Sequence, residues 1–245
     1  MTYVKNVDLI NYDKVIVVGD IHGNSEYYYS YIDLWDYANT RSHIIFLGDV
    51  IHGGGTSEDN CIDVLEDVMV KEELFSNFHV LLGNHEHSLI QGYDIYKGGE
   101  NQTKTFQQQL KQRYGRYKPH LQRYKTFLKK LPLTIRLLND KIILLHGGTP
   151  KKQTLTKNNN QLNNLTYNHP ITEEILWNRI THKDYNDNDI QHFLQITQCN
   201  QVITGHEHIN HTTPNHTILN STPPKTPKYL TIQDHTIQTH THHIK

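Results

Sequence analysis

The chain has few cysteines, no long apolar run and no excess of charge of one sign. Its two cysteines, Cys61 and Cys199, form neither the closely spaced pattern of a disulfide framework nor a CxxC pair. No run approaches the roughly 18 apolar residues of a membrane span, and the start MTYVKNVDLINYDK lacks the cationic and apolar parts of an export signal. We therefore expect a protein of the reducing cytoplasm without a membrane segment.

The charges of the chain nearly cancel. Lys and Arg number 24 and Asp and Glu number 25, which gives a formal net charge of −1. General electrostatic binding to nucleic acid or to a membrane surface is therefore not expected, and an anionic ligand must be held by local groups. The length of 245 residues suits one core, so we predict a single domain over 1–245. The oligomeric state stays open.

Short apolar runs that end at a glycine or a polar residue recur along the chain and are typical of buried strands. They are KVIVV, HIIFL, FHVLL, KIILL and QVIT. Helical patterns lie between them, over 25–39, 59–76, 103–115 and 120–130. This alternation predicts a layered α/β protein. Two hairpins, turning at Asn139-Asp140 and near Asp234, add antiparallel pairs, so we expect a mixed sheet or two packed sheets.

The segment 151–170 differs in composition from the rest of the chain. Its sequence, KKQTLTKNNNQLNNLTYNHP, is polar, rich in asparagine and nearly free of core residues. Such a composition predicts a mobile surface loop. Because it follows His146 closely, a lid over a site there is one interpretation, and an inert polar insertion, which the composition favours, is the other.

Each of the five apolar runs leads into a polar cluster. The clusters are GDIHGN (19–24), GDVIHGG (48–54), GNHEH (83–87), HGG (146–148) and GHEH (205–208). Ligands of open α/β sheets bind beyond the carboxyl ends of the strands, and the glycines allow sharp turns there. Histidine is abundant, at 19 of 245 residues, so one histidine alone is weak evidence. Five such clusters together predict one shared site.

The polar side chains of these clusters offer carboxylate, imidazole and amide groups and no thiolate. This set suits manganese, iron or zinc better than calcium, and we expect manganese first. Asp20 and His22, two residues apart, can face one ion. Asp49 arrives from a separate strand and is the predicted bridge between two ions. The second ion would be completed by Asn84, His146 and His206.

In this order the motifs GDIHG, GDVIHGG, GNHE, HGG and GH resemble those of the calcineurin-like metallophosphoesterases. The most similar branch is that of the phosphoprotein phosphatases, with serine/threonine phosphatases and symmetrical dinucleoside tetraphosphate hydrolases. The similarity spans about residues 14–206, and LKKLPLTIRL and LWNR (176–179) also resemble bacterial members. It implies an α/β/β/α sandwich, two metal ions on the six residues named above, and His85 as the proton donor.

One motif departs from the pattern of the branch. Where GDxxDRG is usual, this chain has GDVIHGG, so His52 and Gly53 replace an Asp that orients the proton donor and an Arg that clamps phosphate. Glu58 or Asp59 could supply the carboxylate. Arg179, in LWNR, could hold phosphate through its planar guanidinium, and a surface salt bridge is the alternative reading of this residue.

His208 follows His206 by two residues, a spacing at which both side chains can face one side of a loop. The wider superfamily often has a ligand to the first metal at this place, whereas the phosphatase branch often does not. Histidine is common in this chain, so a solvated residue without a metal is the other reading. We predict a ligand, because the first metal otherwise has only Asp20, His22 and the shared Asp49.

These assignments define a reaction. Two cations about 3.5–4 Å apart lower the pKa of a bridging water, so that a hydroxide forms near neutral pH and attacks phosphorus. His85 would protonate the leaving alkoxide, and Arg179 would balance charge on the phosphate oxygens. The sequence predicts a metal-dependent phosphatase for phosphomonoesters, with phosphoserine and phosphothreonine proteins first. The alternatives are a nucleotide or dinucleoside polyphosphate hydrolase and a noncatalytic scaffold.

Overall fold

The computed structural model describes residues 4–53, 59–156, 159–221 and 227–244. The strands of the described residues are β1 (Lys5–Leu9), β2 (Lys14–Val18), β3 (Ser42–Phe46), β4 (Phe78–Val80), β5 (Tyr96–Lys97), β6 (Glu100–Asn101), β7 (Pro132–Leu137), β8 (Ile142–Leu145), β9 (Gln201–Thr204), β10 (His211–Thr212), β11 (His216–Ile218), β12 (Lys228–Gln233) and β13 (Thr236–Thr241). The helices are α1 (Ser25–Ile32), α2 (Cys61–Leu74), α3 (Asn84–Gln91), α4 (Gln102–Tyr114), α5 (Lys118–Leu128), α6 (Pro170–Trp177) and α7 (Asp187–Thr197).

The strands form two mixed sheets and a small hairpin. One sheet has the order β1-β7-β8-β9-β11-β10 and the other the order β13-β12-β2-β3-β4, while β5 and β6 pair separately. β2, β3 and β4 run parallel, as do β8, β9 and β11. The antiparallel hairpins predicted at Asn139-Asp140 and near Asp234 join β7 to β8 and β12 to β13. The prediction of packed sheets with antiparallel pairs is confirmed.

Alternate residues of the central strands face different layers. Val15 and Val17 of β2 pack between the two sheets with Leu144 of β8. Ile16 and Val18 belong instead to the core beneath the helices. Because such a strand is buried on both faces, its sequence is uniformly apolar and does not alternate. The layers are helices, sheet, sheet and helices, so the predicted α/β/β/α sandwich is confirmed.

Four helices, α1, α4, α6 and α7, begin at a residue whose side chain caps them, and the sequence pattern did not predict several of the helices. Asn24 accepts a hydrogen bond from the Tyr27 N–H at the start of α1, as N-cap residues do. The helix predicted over 25–39 ends already at Ile32. α3 was not predicted, since its sequence NHEHSLIQ lacks an apolar stripe even though nearly all of it is buried. Neither α6 nor α7 was predicted.

The segment 151–170 contributes to the core, so the prediction that it is nearly free of core residues is wrong. Its buried apolar side chains are Leu155, Leu162, Leu165 and Tyr167. The Leu165 carbonyl accepts from the Val4 N–H at 2.9 Å, and the Leu162 carbonyl accepts from Asn6 Nδ2 at 2.8 Å. These contacts attach the segment to β1 and to Val4, the residue that precedes β1. These apolar residues form no strand or helix pattern in the sequence because each stands singly among polar residues. The predicted mobility of the segment stays a prediction.

The structure describes the state of both cysteines and the character of the helices. Cys61 and Cys199 are buried free thiols. In the described ranges, no helix combines the length and apolar character needed to cross a lipid bilayer.

Candidate metal centre

The polar clusters meet at one end of the two sheets. Asp20 follows β2, Asp49 follows β3, Asn84 begins α3 after β4, and His146 and His206 follow β8 and β9. All five side chains are buried. His146 Nε2 lies 3.4 Å from Asp49 Oδ2, and His146 Nδ1 lies 4.0 Å from Asp20 Oδ1. The structure thus brings together residues that are far apart in the sequence.

The ligand-type atoms of the site form two groups, and within each group all atoms lie within 4.8 Å of one another. One group consists of Asp20, Asp49, His146 and His206, and the other of His22, Asp49 and His85. Asp49 belongs to both groups, which is the position predicted for a bridging carboxylate. Asp20 Oδ2 also lies 3.7 Å from His22 Nε2. The assignment of each side chain to one ion therefore stays a prediction.

The environment of Asn84 fits a bound cation. Its amide oxygen lies 2.8 Å from His146 Nε2 and faces Asp49 Oδ2 at 2.9 Å and His206 Nδ1 at 3.2 Å. With the amide turned the other way, its NH₂ group would donate to Asp49 and His206 instead, so the side chain has hydrogen-bond partners in either orientation. A divalent ion between these groups would select the orientation with the amide oxygen turned inwards, and nitrogen and oxygen donors without thiolate are suitable ligands for manganese, iron or zinc.

The backbone is strained at several residues of the site. His22, Asp49, His52 and His206 have positive φ angles of 50°, 49°, 67° and 63°. A non-glycine residue in this left-handed region costs about 1–3 kcal/mol and persists where the surroundings fix it. Such strain is concentrated at functional sites, and no motif in the sequence discloses it.

Glu86 fixes two of the loops relative to each other. Its carboxylate accepts from the N–H groups of Asp49, Val50 and Ile51 at 2.9, 3.0 and 3.2 Å, and from that of Gly83 at 3.1 Å. The loops approach so closely that a Cβ atom at Gly83 would lie 2.3 Å from Asp49 N. Glu86 thereby fixes the position of Asp49 through the backbone of the loop that carries it.

Replacing Glu86 by Gln should destabilise the fold. The Gln amide would turn an NH₂ group towards backbone N–H donors, and a hydrogen bond to a buried charged group contributes about 1.5–3 kcal/mol. Burial raises the pKa of Glu86 to about 8, so above that pH, where the carboxylate is charged, we expect the free energy of unfolding of metal-free protein, measured with urea, to fall by about 3 kcal/mol. The exposed Glu73 provides the control variant Glu73→Gln. Equal stability of both variants would show that Glu86 does not hold the loops.

Burial shapes the charges of the site. It lowers the pKa of His22 to about 3 and holds the pKa values of His85 and His206 well below their ordinary value. Burial also acts to lower the pKa of His146, but the charge of Asp49 helps to reverse this and raises it to about 9. Neutral imidazole is the form that binds metal, so His146 must release a proton when an ion binds.

His52 occupies the neighbourhood of the candidate proton donor. Its Nδ1 lies 3.1 Å from His85 Nδ1, and its ring packs edge-on against Phe106. His85 Nε2 lies 3.8 Å from Asp49 Oδ2. Asp59, one of the two carboxylates considered for the missing aspartate, accepts a hydrogen bond through Oδ1 from the Cys61 N–H at 3.1 Å. Glu58, the other carboxylate considered, lies outside the described residues.

Arg179 lies at the site. Its Nε donates to His206 Nε2 at 2.9 Å. The Glu207 carboxylate accepts from the N–H groups of Ile180 and Thr181 at 2.9 and 3.1 Å, which attaches this segment to the GHEH loop. Within the described part of the chain, the surface salt bridge considered for Arg179 does not form. If His206 bound a metal through Nδ1, its proton would move to Nε2 and the Arg179 N–H would be free for another acceptor.

His208 lines the same cavity but is exposed and belongs to neither ligand group. Its role as a ligand stays a prediction. If the role is correct, His208→Ala should weaken one of two metals by about 10–100-fold, as the loss of groups that support a metal typically does. Titration calorimetry with the metal measures both affinities, and His211→Ala is the matched control because His211 is exposed. Two metals bound with unchanged affinity would exclude His208 as a ligand.

Several residues of the cavity were missed by reasoning from the sequence. The cavity has a volume of roughly 130 Å³, and Tyr96, Lys97 and Trp177 line it together with the metal-binding candidates. Tyr96 and Lys97 belong to β5, and Trp177 ends α6. Lys97 and Tyr96 stand in no motif, whereas Trp177 lies within LWNR and could have been noticed as a neighbour of Arg179.

Comparisons with known proteins agree with this geometry. A family model described as calcineurin-like phosphoesterase matches residues 13–210. A protein of Encephalitozoon cuniculi named probable serine/threonine-protein phosphatase is 26% identical over 165 residues, which cover 66% of this chain and 32% of the relative. The chain thus spans about a third of the length of that relative.

Two solved structures share the fold at low sequence identity. One is a serine/threonine phosphatase from Saccharomyces cerevisiae with similarity to human phosphatase PP5, with 17% identity, a TM-score of 0.70, and coverage of 98% of this chain and 84% of that chain. The other is a cold-active protein-tyrosine phosphatase of Shewanella, with 13% identity, a TM-score of 0.64, and coverage of 97% and 83%. With the family model matching most of its length, this chain belongs to the calcineurin-like phosphoesterases.

Proposed function

We propose that the protein hydrolyses phosphomonoesters in the manner of a serine/threonine protein phosphatase, with two divalent ions, manganese first. The observation that carries the proposal is the position of Asp49, which belongs to both groups of ligand-type atoms. One carboxylate shared by two groups suits a pair of ions. When bound, such a pair supplies an activated water and positive charge for the phosphate oxygens.

The protein groups around this centre have complementary roles in the proposal. His85 is the proton donor for the leaving oxygen, since it borders the cavity beside Asp49. Arg179 lines the cavity from the segment after α6 and binds phosphate oxygens. Glu86 and Glu207 bind backbone N–H groups and position these loops.

A phosphoserine or phosphothreonine side chain is the proposed first substrate. The relative from Encephalitozoon cuniculi carries the name of a serine/threonine phosphatase, and the small cavity of roughly 130 Å³ accepts a phosphoryl group while the rest of a peptide stays outside. A reducing cytoplasm stays the proposed location, in keeping with two free thiols.

A substrate panel tests the proposal. Protein loaded with Mn²⁺, Zn²⁺ or Fe²⁺ is assayed on phosphoserine, phosphothreonine and phosphotyrosine peptides, mononucleotides, dinucleoside polyphosphates and an aryl phosphate, with metal content measured in parallel. The proposal expects the highest kcat/KM on phosphoserine or phosphothreonine peptides. A clear preference for dinucleoside polyphosphates would replace it with the nucleotide alternative. Bound metal without turnover of any phosphoester would favour a scaffold.

A further inference from the structure

Position 53 cannot hold the arginine that usually clamps phosphate in this branch. A Cβ atom at Gly53 would lie 2.6 Å from the His22 carbonyl oxygen and 2.7 Å from the Asp59 carboxylate carbon. Contacts this short mean that a side chain could stand here only if the loop moved, because this loop conformation leaves no room for a Cβ atom. The arginine is therefore absent from the sequence, and the conformation of this loop also leaves no space for it. A second cation, if the site has one besides Arg179, must come from another element.

Lys97 is a cation at the required place. It ends β5, directly before the two-residue turn Gly98-Gly99 that leads into β6. Its side chain is half-buried and lines the cavity with Asp20 and Asp49. Arg179 lines the same cavity from the segment after α6. The two cationic side chains therefore approach the candidate metal centre from different elements.

The hairpin that carries Lys97 is fixed at its base. Gln102 is buried, its N–H donates to the Ile95 carbonyl at 2.8 Å, and Thr103 Oγ1 donates to the Tyr93 carbonyl at 2.8 Å. These bonds join the hairpin to the start of α4. Lys97 is thus presented to the cavity by an attached element rather than by a free loop.

Among the described residues, none forms an ion pair with the Lys97 ammonium. Glu100 is its neighbour across the hairpin, the usual place for an opposite charge, yet within the described ranges Lys97 forms no ion pair with it or with any other side chain. Burial lowers the pKa of Lys97, while the charges of Asp49 and Asp20 oppose this effect. A half-buried ammonium without a hydrogen-bonded partner is unfavourable unless a ligand satisfies it.

The charge balance indicates the chemistry of that ligand. Two divalent ions would outweigh the carboxylates of Asp20 and Asp49, and Lys97 would then be repelled by the centre it faces. An anion with several oxygens, bound between the ions, Lys97 and Arg179, removes this repulsion. We propose that Lys97 binds the phosphoryl oxygens of the substrate and replaces the clamp that Gly53 excludes. This rests on the proposed function, because it assigns a phosphate ligand to the same site.

Binding of inorganic phosphate to the metal-loaded protein tests the proposal without requiring turnover. Lys97→Met keeps the length of the side chain and removes its charge, so the dissociation constant measured by calorimetry should rise about tenfold or more. Metal content and thermal unfolding should stay unchanged. Lys97→Arg should retain most of the affinity. The control is Lys104→Met on the neighbouring helix, since Lys104 is exposed and faces Asp94 at 3.9 Å; it should change the affinity by less than about twofold.

A second measurement uses the wild-type protein alone. An amine-reactive acylating reagent, followed by peptide mass spectrometry, should label Lys97 more slowly when inorganic phosphate is present, while labelling of Lys104 should not change. Unchanged phosphate affinity in folded, fully metal-loaded Lys97→Met would overturn the proposal, as would labelling of Lys97 that phosphate does not slow. If phosphate binding depends on Lys97 but no phosphoester is hydrolysed, the proposed function fails and the assignment of Lys97 stands.

Discussion

Replacing Asp49 by Asn should abolish turnover and lower the metal content of the protein. Its carboxylate lies 3.4 Å from His146 Nε2, 3.8 Å from His85 Nε2 and 3.9 Å from His22 Nε2, so it is shared by both groups of candidate ligands. A neutral amide offers one oxygen and no charge for two cations. Loss of a single stabilising donor in an active site costs about 10²–10³-fold in kcat, and we expect a larger loss here.

The measurement combines metal analysis with hydrolysis of an aryl phosphate. Asp13→Asn is the control, because Asp13 forms an exposed ion pair with Arg41, and exposed pairs contribute little to stability. It should keep both metal content and activity. Asp49 also accepts the His85 N–H at 2.9 Å, so thermal unfolding of each variant must show that the fold is intact. Normal metal content with retained activity in Asp49→Asn would remove Asp49 from the site.

The strands and the convergence of their ends could be predicted from the sequence. KVIVV, which is Lys14–Val18, and QVIT, which is Gln201–Thr204, have the bounds of β2 and β9. Runs of this kind are buried on both faces, so their composition alone marks them. Parallel strands of one sheet end at one edge, which brings together the residues after β2, β3 and β4 and, separately, those after β8 and β9. The packing of the two sheets then places these two edges side by side. The metal-ligand candidates were therefore available without coordinates.

Other parts of the site depend on packing that the sequence does not show. α3 lacks an apolar stripe because several of the residues it buries, such as Asn84 and Glu86, are polar and lie at the site. Lys97 reaches the cavity only because β5 and β6 fold back on the start of α4. The positive φ angle of Asp49 follows from its neighbours and not from its own preference. Local patterns carry no information on such distant contacts.

The pair formed by His52 and His85 alters the acid chemistry of the site. A carboxylate beside His85 would stabilise the positive charge of its imidazolium, whereas the neutral ring of His52 can only accept or donate one hydrogen bond at Nδ1. Burial further lowers the pKa of His52 to about 4 and holds the pKa of His85 well below its ordinary value. A proton on His85 is therefore held less firmly than it would be beside an aspartate: the imidazolium is a stronger acid, but a smaller fraction of the protein carries it near neutral pH.

Replacing His85 by Asn should slow the hydrolysis of alkyl phosphates by about 10²–10⁴-fold, the usual contribution of a general acid. Aryl phosphates, whose leaving oxygen needs no proton, should be affected much less. His87→Asn is the control from the same helix, because His87 contacts the Tyr167 carbonyl at 2.8 Å instead of lining the cavity. Metal content separates two roles, since His85 also belongs to a group of candidate ligands. Equal loss for alkyl and aryl substrates, together with loss of metal, would make His85 a ligand and not the proton donor.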